Sequence, residues 1–352
     1  MRAMILKEFR ELRRDRRTVA MLVALPVVLL VVFGYAANFT IDSITTKAVG
    51  PGADQVAALA PDLFDVVATD PSATAADARA MVRDNEADVV VDTATTPPTA
   101  YVDGSSLFVA QTASAAFGRA GDAVHVEILF NPDLETSWVM VPALIGLILT
   151  FVGTIITSIG LVRERQTGTL EQLAVMPLRP ADVIVGKIAP YFILASVDMA
   201  LVTLLGVWIF HVPFEGNPLL LVLGGAVFLF VVLGIGVLIS TASQTQGQAI
   251  QVALMTLLPQ ILLSGFIFPL QAMPAWIAAI GYCLPLTWFV QLSQGVMLRG
   301  AGLDSLWPAY VVLAVLATVV FTAAVLRFRR DLAPGRRAAR APHAPAHAQV
   351  RA

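Results

Sequence analysis

Few residues of this chain have the types and spacing that enzymatic chemistry requires. The Gly186-Lys187 pair could end a phosphate-binding loop, in which backbone amides and a lysine hold the phosphates of a nucleotide. Ala181 stands where that loop needs its first glycine, and Ile188 stands where it needs a hydroxyl. The sequence therefore predicts that the chain itself binds no ATP. It also lacks any serine-histidine-aspartate arrangement.

Histidine and cysteine are too sparse to predict a metal site. His343 and His347 are four residues apart, but prolines and alanines around them disfavour a helix, and His125 and His211 are far apart in the chain. Cys283 is the single cysteine, which excludes an intrachain disulfide, and its apolar surroundings predict a buried, inert thiol. We expect no metal and no cofactor on this chain.

Asp198 is the one acid deep within an apolar run. An unpaired charge at mid-membrane costs about 2.5–3.5 kcal/mol on insertion scales, so this carboxyl must face the protein interior, water or a partner subunit. It is either a contact for a cation, proton or substrate, or a neutralised packing residue.

A polar segment, residues 163–187, separates two apolar runs, 138–162 and 188–210, that are each long enough to cross a bilayer. Thr169 and Gln172 have the spacing of a capping box, which predicts a short helix over residues 170–175. Such a helix, held between two spans, is suited to transmitting motion. From spacing alone, an ordinary charged loop that sets topology remains the alternative.

The composition is that of an integral membrane protein, with 57% hydrophobic and 14% charged residues and a mean hydropathy of +0.77. The sequence predicts an α-helical integral membrane protein with six transmembrane helices and an inserted small α/β domain. The predicted spans are 19–39, 138–162, 188–210, 219–239, 249–268 and 307–326. The first span is too long for a cleaved signal peptide and is expected to stay as an anchor.

Residues 40–136 have a different character, with fifteen acidic against four basic residues. Because the flanking segments are basic, this domain is expected outside the cytoplasm. Valine-rich strands are predicted at 64–68, 87–91 and 98–102, and helices at 72–85 and 105–117. The acids are scattered, so we interpret them as solvated surface.

Both ends of the chain are basic and are expected in the cytoplasm. Residues 1–18 carry an apolar stripe opposed by charge, which predicts an amphipathic helix in the membrane interface and disfavours the alternative of nucleic-acid binding. Residues 327–352 form a basic tail rich in alanine and proline, which is predicted to be disordered beyond Pro334.

Residues 269–300 contain an apolar piece that is too short to cross a bilayer, flanked by proline and glycine breaks. They predict a re-entrant helix that could line an exit path for a substrate. An interfacial helix anchored by Trp276, Tyr282 and Trp288 is an equal alternative. The candidate pathway residues, besides Asp198, are Ser264, Gly265, Phe266 and Phe268.

Several short motifs occur in a characteristic order up to about Gly300. They are Lys7-Glu8-Phe9, Arg14-Asp15-Arg16-Arg17, Phe33-Gly34-Tyr35-Ala36, Asn131-Pro132, Val141-Pro142, Arg163-Glu164-Arg165, Gly168-Thr169-Leu170-Glu171-Gln172-Leu173, Pro177-Leu178-Arg179-Pro180, Leu263-Ser264-Gly265-Phe266-Ile267-Phe268-Pro269 and Met273-Pro274. In this combination the chain resembles bacterial ATP-binding-cassette (ABC) type-2 permeases, specifically a multidrug-export-like subfamily with a large extracytoplasmic domain.

The resemblance implies that the polar segment is a coupling helix that docks on a separate ATPase subunit, which holds the ATP and magnesium. It also implies that two permease chains pair, as a homodimer or a paralogous heterodimer. Gln294 departs from the family, whose members often have arginine there. The implied ATPase-coupling residues are Glu164, Arg165, Gly168, Thr169, Leu170, Glu171 and Leu173.

The sequence thus favours a non-catalytic permease subunit of an ABC exporter in the bacterial inner membrane, with an amphipathic or lipid-like substrate. Two alternatives stay open. One is a membrane receptor or scaffold whose acidic domain binds an external partner. The other is an ion-coupled secondary transporter that uses Asp198.

Overall fold

The computed structural model describes residues 41, 43–119, 121–167 and 180–332. An α/β unit extends from residue 44 to residue 129, and a set of helices follows from residue 136. The predicted interfacial helix at 1–18, the first span at 19–39, the short helix at 170–175 and the tail beyond residue 332 lie outside the described residues.

The α/β unit contains a five-stranded sheet with strand order β2-β1-β3-β4-β5, in which β3 and β4 are antiparallel and the other neighbours are parallel. Three α-helices accompany the strands within the described residues of this unit. In chain order the elements are β1 Ile44–Val49, α1 Ala53–Leu59, β2 Phe64–Asp70, α2 Ala75–Arg83, β3 Val89–Asp92, β4 Thr99–Asp103, α3 Leu107–Arg119 and β5 His125–Leu129.

The sheet is covered on both faces, as the alternation along β3 shows. Val89 and Val91 pack in the cluster that includes α3, whereas Val90 packs with Val82 of α2. Successive side chains of a strand point to opposite faces, so an all-valine run is suited to a strand buried on both sides. A capping box between Thr74 and Asp77 begins α2.

All five elements predicted for this unit are present, with ends shifted by up to a few residues. Sequence reasoning missed β1, β5 and α1. The strand β1 contains two threonines and Lys47, and β5 contains His125 and Glu127, so neither has the apolar signal of β3. Helix α1 has only seven residues.

Seven further α-helices follow in the part of the chain that the structure describes, and α4 and α6 lie at the centre of their packing. In their most apolar stretches 56% of α4 and 61% of α6 are buried, against 17% in α5 and α10. The helices are α4 Thr136–Gln166, α5 Pro180–Phe210, α6 Pro218–Ala242, α7 Gln246–Leu263, α8 Ala275–Tyr282, α9 Pro285–Met297 and α10 Leu303–Leu332. Pro180, which is predicted at the first helical position, is the first described residue of α5.

Four helices in the described parts of the chain, α4, α5, α6 and α10, are long and apolar enough to cross a membrane. The predicted span 249–268 needs correction, because α7 ends at Leu263 and residues 264–268 form a turn. Four glutamines also lower the hydropathy of α7. Helices α8 and α9, bent by 78°, would count as a fifth span if taken together. These helices therefore do not establish the predicted number of six.

Close packing between the central helices depends on small residues. A Cβ at Gly236 of α6 would lie 2.8 Å from Thr157 Cβ and 3.0 Å from the carbonyl oxygen of Thr154, both on α4. Phe228 of α6 stacks on Phe289 of α9 with ring centroids 4.4 Å apart. The close approach of two backbones at a small residue such as Gly236 is typical of membrane helices, whose association has no hydrophobic driving force.

Candidate functional site

Two of the predicted ATPase-coupling residues, Glu164 and Arg165, lie in the last turn of α4. The other five, Gly168, Thr169, Leu170, Glu171 and Leu173, lie outside the described residues.

The end of α4 is tied to two other parts of the helical region. Glu164 forms an ion pair with Lys187 of α5. Arg165 Nη1 donates a hydrogen bond to the carbonyl oxygen of Ser243 at 3.1 Å, and Gln246 Nε2 donates to Gln166 Oε1 at 3.2 Å. We call Glu164, Arg165 and Gln166, with their partners Lys187, Ser243 and Gln246, the brace.

The brace includes residues that lie close in the chain to both ends of the segment that would carry the coupling helix. That segment leaves α4 beyond Thr167 and re-enters the described chain at Pro180, the first residue of α5. Since Ser243 and Gln246 lie at the connection between α6 and α7, a displacement of this segment would act on four helices together. This arrangement suits mechanical transmission.

Asp198 lies in the second half of α5 and is half-buried. Its Oδ2 atom is buried and has no hydrogen-bond partner within the described parts of the chain. The structure thus leaves both interpretations of Asp198 open. Asp198 does not line the cavity between the α/β unit and the helices.

A partly open cavity of about 120 Å³ lies where the α/β unit meets the helices. We call it the junction pocket. Ser264, Gly265 and Phe266, three of the predicted pathway residues, line it together with residues of the α/β unit and of α9. Phe268 does not line it and instead packs in an apolar cluster with Leu263 and Ile277.

Three charged side chains meet in the junction pocket. Arg299 Nη1 lies 3.5 Å from Asp103 Oδ2 and donates a hydrogen bond to Asn85 Oδ1 at 2.8 Å. The side chains of Arg299 and Asp103 are only 8% and 3% exposed. Burial, reinforced by the negative charge of Asp103, raises the pKa of the Asp88 carboxyl from 3.8 to about 6.

These contacts correct the interpretation of the acids as solvated surface for a few of them, whereas others, such as Asp65 and Asp77, are exposed as interpreted. Asp103 and Asp92 are buried, and Asp88 is half-buried. The Arg299–Asp103 contact joins residues 196 positions apart, which no local pattern reveals. The only signal was that Arg299 and Asp304 are the sole charged residues between positions 285 and 326.

Gln294, which departs from the resembled family, also lines the junction pocket. Its Nε2 donates a hydrogen bond to the carbonyl oxygen of Val139 at 3.1 Å, tying α9 to α4. The positive charge of this pocket comes from Arg299, five residues further along.

Asn131, from the predicted Asn131-Pro132 motif, joins the α/β unit to α4. Its side chain is fully buried, accepts a hydrogen bond from the Glu135 N–H at 2.8 Å, and donates to the carbonyl oxygens of Gly104 and Glu135. Cys283 differs from the prediction of a buried thiol. It is exposed at the corner between α8 and α9, outside the packed core.

A second cavity, of about 800 Å³, lies in the α/β unit between the sheet and helices α1 and α3. Its lining is largely apolar and includes Val56, Leu63, Phe64 and Phe117, with Arg119 among the polar residues. Ligand pockets of drug-sized molecules typically measure about 300–1,000 Å³.

The fold and these sites define a multi-pass helical membrane protein. Across the residues that the structure describes, no cluster of histidine, cysteine or acidic residues could hold a metal ion. The chain belongs to the ABC-2 family of transporter permeases, since the model of the "ABC-2 family transporter protein" family matches residues 16–326.

Three bacterial relatives from Escherichia coli K12 carry permease names. "Probable multidrug ABC transporter permease YbhS" is 32% identical over 339 residues, covering 85% of this chain and 88% of the relative. "Probable multidrug ABC transporter permease YbhR" is 34% identical over 203 residues, covering 58% of this chain and 55% of the relative. "Inner membrane transport permease YhhJ" is 34% identical over 212 residues, covering 60% and 56%. The chain thus spans about half the length of YbhR and YhhJ.

Proposed function

We propose that this chain is the membrane subunit of an ABC exporter in a bacterial inner membrane, with both termini cytoplasmic. The exporter moves an amphipathic or lipid-like substrate, such as a drug, lipid or polyketide, out of the cytoplasm or the inner leaflet. A separate ATPase subunit binds ATP and magnesium, and two permease chains, identical or paralogous, form the pathway. Membership of the ABC-2 family and the names of the relatives support this proposal.

The brace is the observation that carries the mechanism. When the ATPase subunits close on ATP, they push the segment between Thr167 and Pro180. The Glu164–Lys187 ion pair and the Arg165–Ser243 hydrogen bond pass this push to α5 and to the α6–α7 connection. The helices then rearrange where the two permease chains meet and release the substrate outside.

Coupling of this kind requires that the docked ATPase has a different affinity for the two transport states of the permease. A ligand shifts a conformational equilibrium only by its difference in binding free energy between the states. Removing the docking segment removes that difference, while the apolar helices that insert into the membrane are unchanged.

The test is to purify the full chain in lipid with the ATPase encoded beside it, and to measure ATP hydrolysis. Deleting Gly168 to Leu173 should abolish the stimulation of hydrolysis by the permease without preventing membrane insertion. Deleting six residues of the tail, 343–348, is the matched control and should leave the stimulation intact. Unchanged stimulation after the first deletion would show that the coupling assignment is wrong.

A second candidate function is that of a membrane receptor or scaffold, and the 800 Å³ cavity of the α/β unit favours it. In that case the cavity binds an external apolar ligand and the helices serve as an anchor. This function predicts that no ATPase co-purifies with the chain, while mass spectrometry of the purified protein detects an apolar ligand. Stable co-purification with an ATPase and altered hydrolysis would exclude a purely anchoring role.

A further inference from the structure

The junction pocket contains charged groups that the coupling mechanism does not use. Asp103 and Arg299 are paired and nearly inaccessible. Asp88 lies next to them, and its Oδ2 accepts a hydrogen bond from the Thr45 N–H at 3.3 Å. The positive charge of Arg299 offsets the negative charge of Asp103. Among the charged side chains described around the pocket, an ionised Asp88 therefore leaves one negative charge in excess.

Arg299 also has an unused donor. Arg299 lines the pocket and is only 9% exposed. Its Nε atom is buried and has no hydrogen-bond partner within the described residues. A buried N–H of a charged group that lacks an acceptor is unfavourable. An oxygen atom brought by a ligand would satisfy it.

Apolar side chains lie beside these charges. Phe108, Met140 and Phe266 are each half-buried and line the pocket, and they come from the α/β unit, from α4 and from the turn before α8. The pocket thus combines an acid, a buried donor and an apolar wall, which are the contacts that an amphipathic cation requires.

The size of the pocket limits which part of a ligand can enter. Its volume of about 120 Å³ is smaller than the roughly 300–1,000 Å³ of pockets that hold a whole drug-sized molecule. An ammonium group with its neighbouring carbons and one oxygen fits this space, whereas a large ring system does not. The apolar body of a ligand would lie against Phe108 and Phe266 at the opening.

We propose that the junction pocket binds the head group of an amphipathic amine: Asp88 pairs with the protonated nitrogen, and Arg299 Nε donates to a neighbouring hydroxyl or carbonyl oxygen. The assignment of this amine as a transported substrate rests on the proposed export function. The binding itself does not require the ATPase.

Acidification should weaken this binding. The groups that face Asp88 are Asp103 on β4, Arg299 after α9, the phenol of Tyr282 on α8 and the backbone of Thr45. Burial and Asp103 raise the pKa of Asp88 to about 6, although the Thr45 hydrogen bonds and Arg299 oppose this rise. Below that pH the carboxyl becomes neutral, and its attraction for a cation disappears. Affinity should then fall by up to about tenfold per pH unit.

The test measures binding of tritiated propranolol, an amphipathic amino alcohol, to the full chain in lipid nanodiscs, with the signal of empty nanodiscs subtracted. Asp88→Asn should weaken binding at least tenfold, because it removes the charge and keeps the shape. Asp88→Glu should retain most of the affinity. The matched control is Asp65→Asn, which changes an exposed acid of the same unit and should have no effect.

Three outcomes would overturn the proposal: equal binding by Asp88→Asn and wild type, no loss of affinity below pH 6, or competition by the neutral N-acetyl derivative as strong as that by propranolol. Absence of saturable binding would overturn it too. The failure of this site is distinguishable from the failure of the export function. A chain that stimulates the ATPase but binds no amine retains the proposed function, whereas a chain that binds the amine without any ATPase association retains only the site.

Discussion

At the scale of single residues, the junction between the α/β unit and the helices depends on a few buried polar side chains. Arg299 contacts Asp103 and Asn85 across the junction. Asn131 forms hydrogen bonds with the backbone of Gly104 in the α/β unit and of Glu135 before α4. Buried polar groups stabilise a structure when all of them are paired, and they are costly when one partner is removed. The orientation of the α/β unit should therefore be sensitive to these residues.

Asn131→Ala should destabilise the folded protein by about 1–3 kcal/mol, because it removes the acceptor of the part-buried Glu135 N–H and the side-chain donor to the Gly104 carbonyl oxygen. Asn131→Asp keeps the acceptor for the Glu135 N–H and should have an intermediate effect. Intrinsic tryptophan fluorescence during thermal unfolding in detergent measures both variants. If Asn131→Ala unfolds at the wild-type temperature, the side chain does not hold the junction.

At the scale of elements, the three polar contacts of the brace connect α4, α5 and the α6–α7 loop. The Glu164 side chain is 37% exposed and that of Lys187 is 14% exposed. An ion pair of this exposure adds little to overall stability, because water screens it. We expect its value to lie in geometry, since it holds the end of α4 next to Lys187 of α5.

Reversing the charges of this pair tests its role in coupling. Glu164→Lys alone and Lys187→Glu alone place like charges together and should reduce stimulation of the ATPase several-fold. The double variant restores the pair in reverse and should recover most of the stimulation. ATP hydrolysis by the reconstituted complex is the measurement. If the double variant is no better than the single ones, the ion pair itself does not transmit the motion.

At the scale of the whole molecule, large apolar surfaces are exposed on α5 and α10. Trp208 of α5 is 77% exposed, and Leu204 and Ile193 are 67% and 65% exposed. Lipid and a second permease chain are the two environments that suit such surfaces in a membrane protein. The proposed orientation places the α/β unit outside the cell and the α6–α7 connection inside.

Cysteine labelling tests this orientation, since Cys283 is the single cysteine and can be replaced. In a Cys283→Ala background, Asp65→Cys on the α/β unit should react in intact spheroplasts with a maleimide that cannot cross membranes. Gln244→Cys, at the α6–α7 connection, should react only after permeabilisation. Both positions are exposed, so differences in labelling report topology rather than burial. The reverse pattern would invert the proposed orientation.

The sequence by itself determined the class of the protein and most of its helices and strands. Continuous apolar runs predicted α4, α5, α6 and α10, because a helix that crosses a membrane must be apolar along its length. Valine-rich runs predicted β2, β3 and β4. Short motifs were sufficient to indicate the ABC-2 family. All of these signals are local, so they can be read without knowledge of contacts.

Only the tertiary structure decided what the polar residues do. Local composition made the acids of the α/β unit resemble solvated surface, yet Asp103 is buried against Arg299, and Asp88 shares its pocket with Ser264 and Phe266. The exposure of Cys283 also depends on how neighbouring helices pack. Burial and charge pairing arise from contacts between residues distant in the chain, and local hydrophobic patterns contain no information on which distant residues will meet.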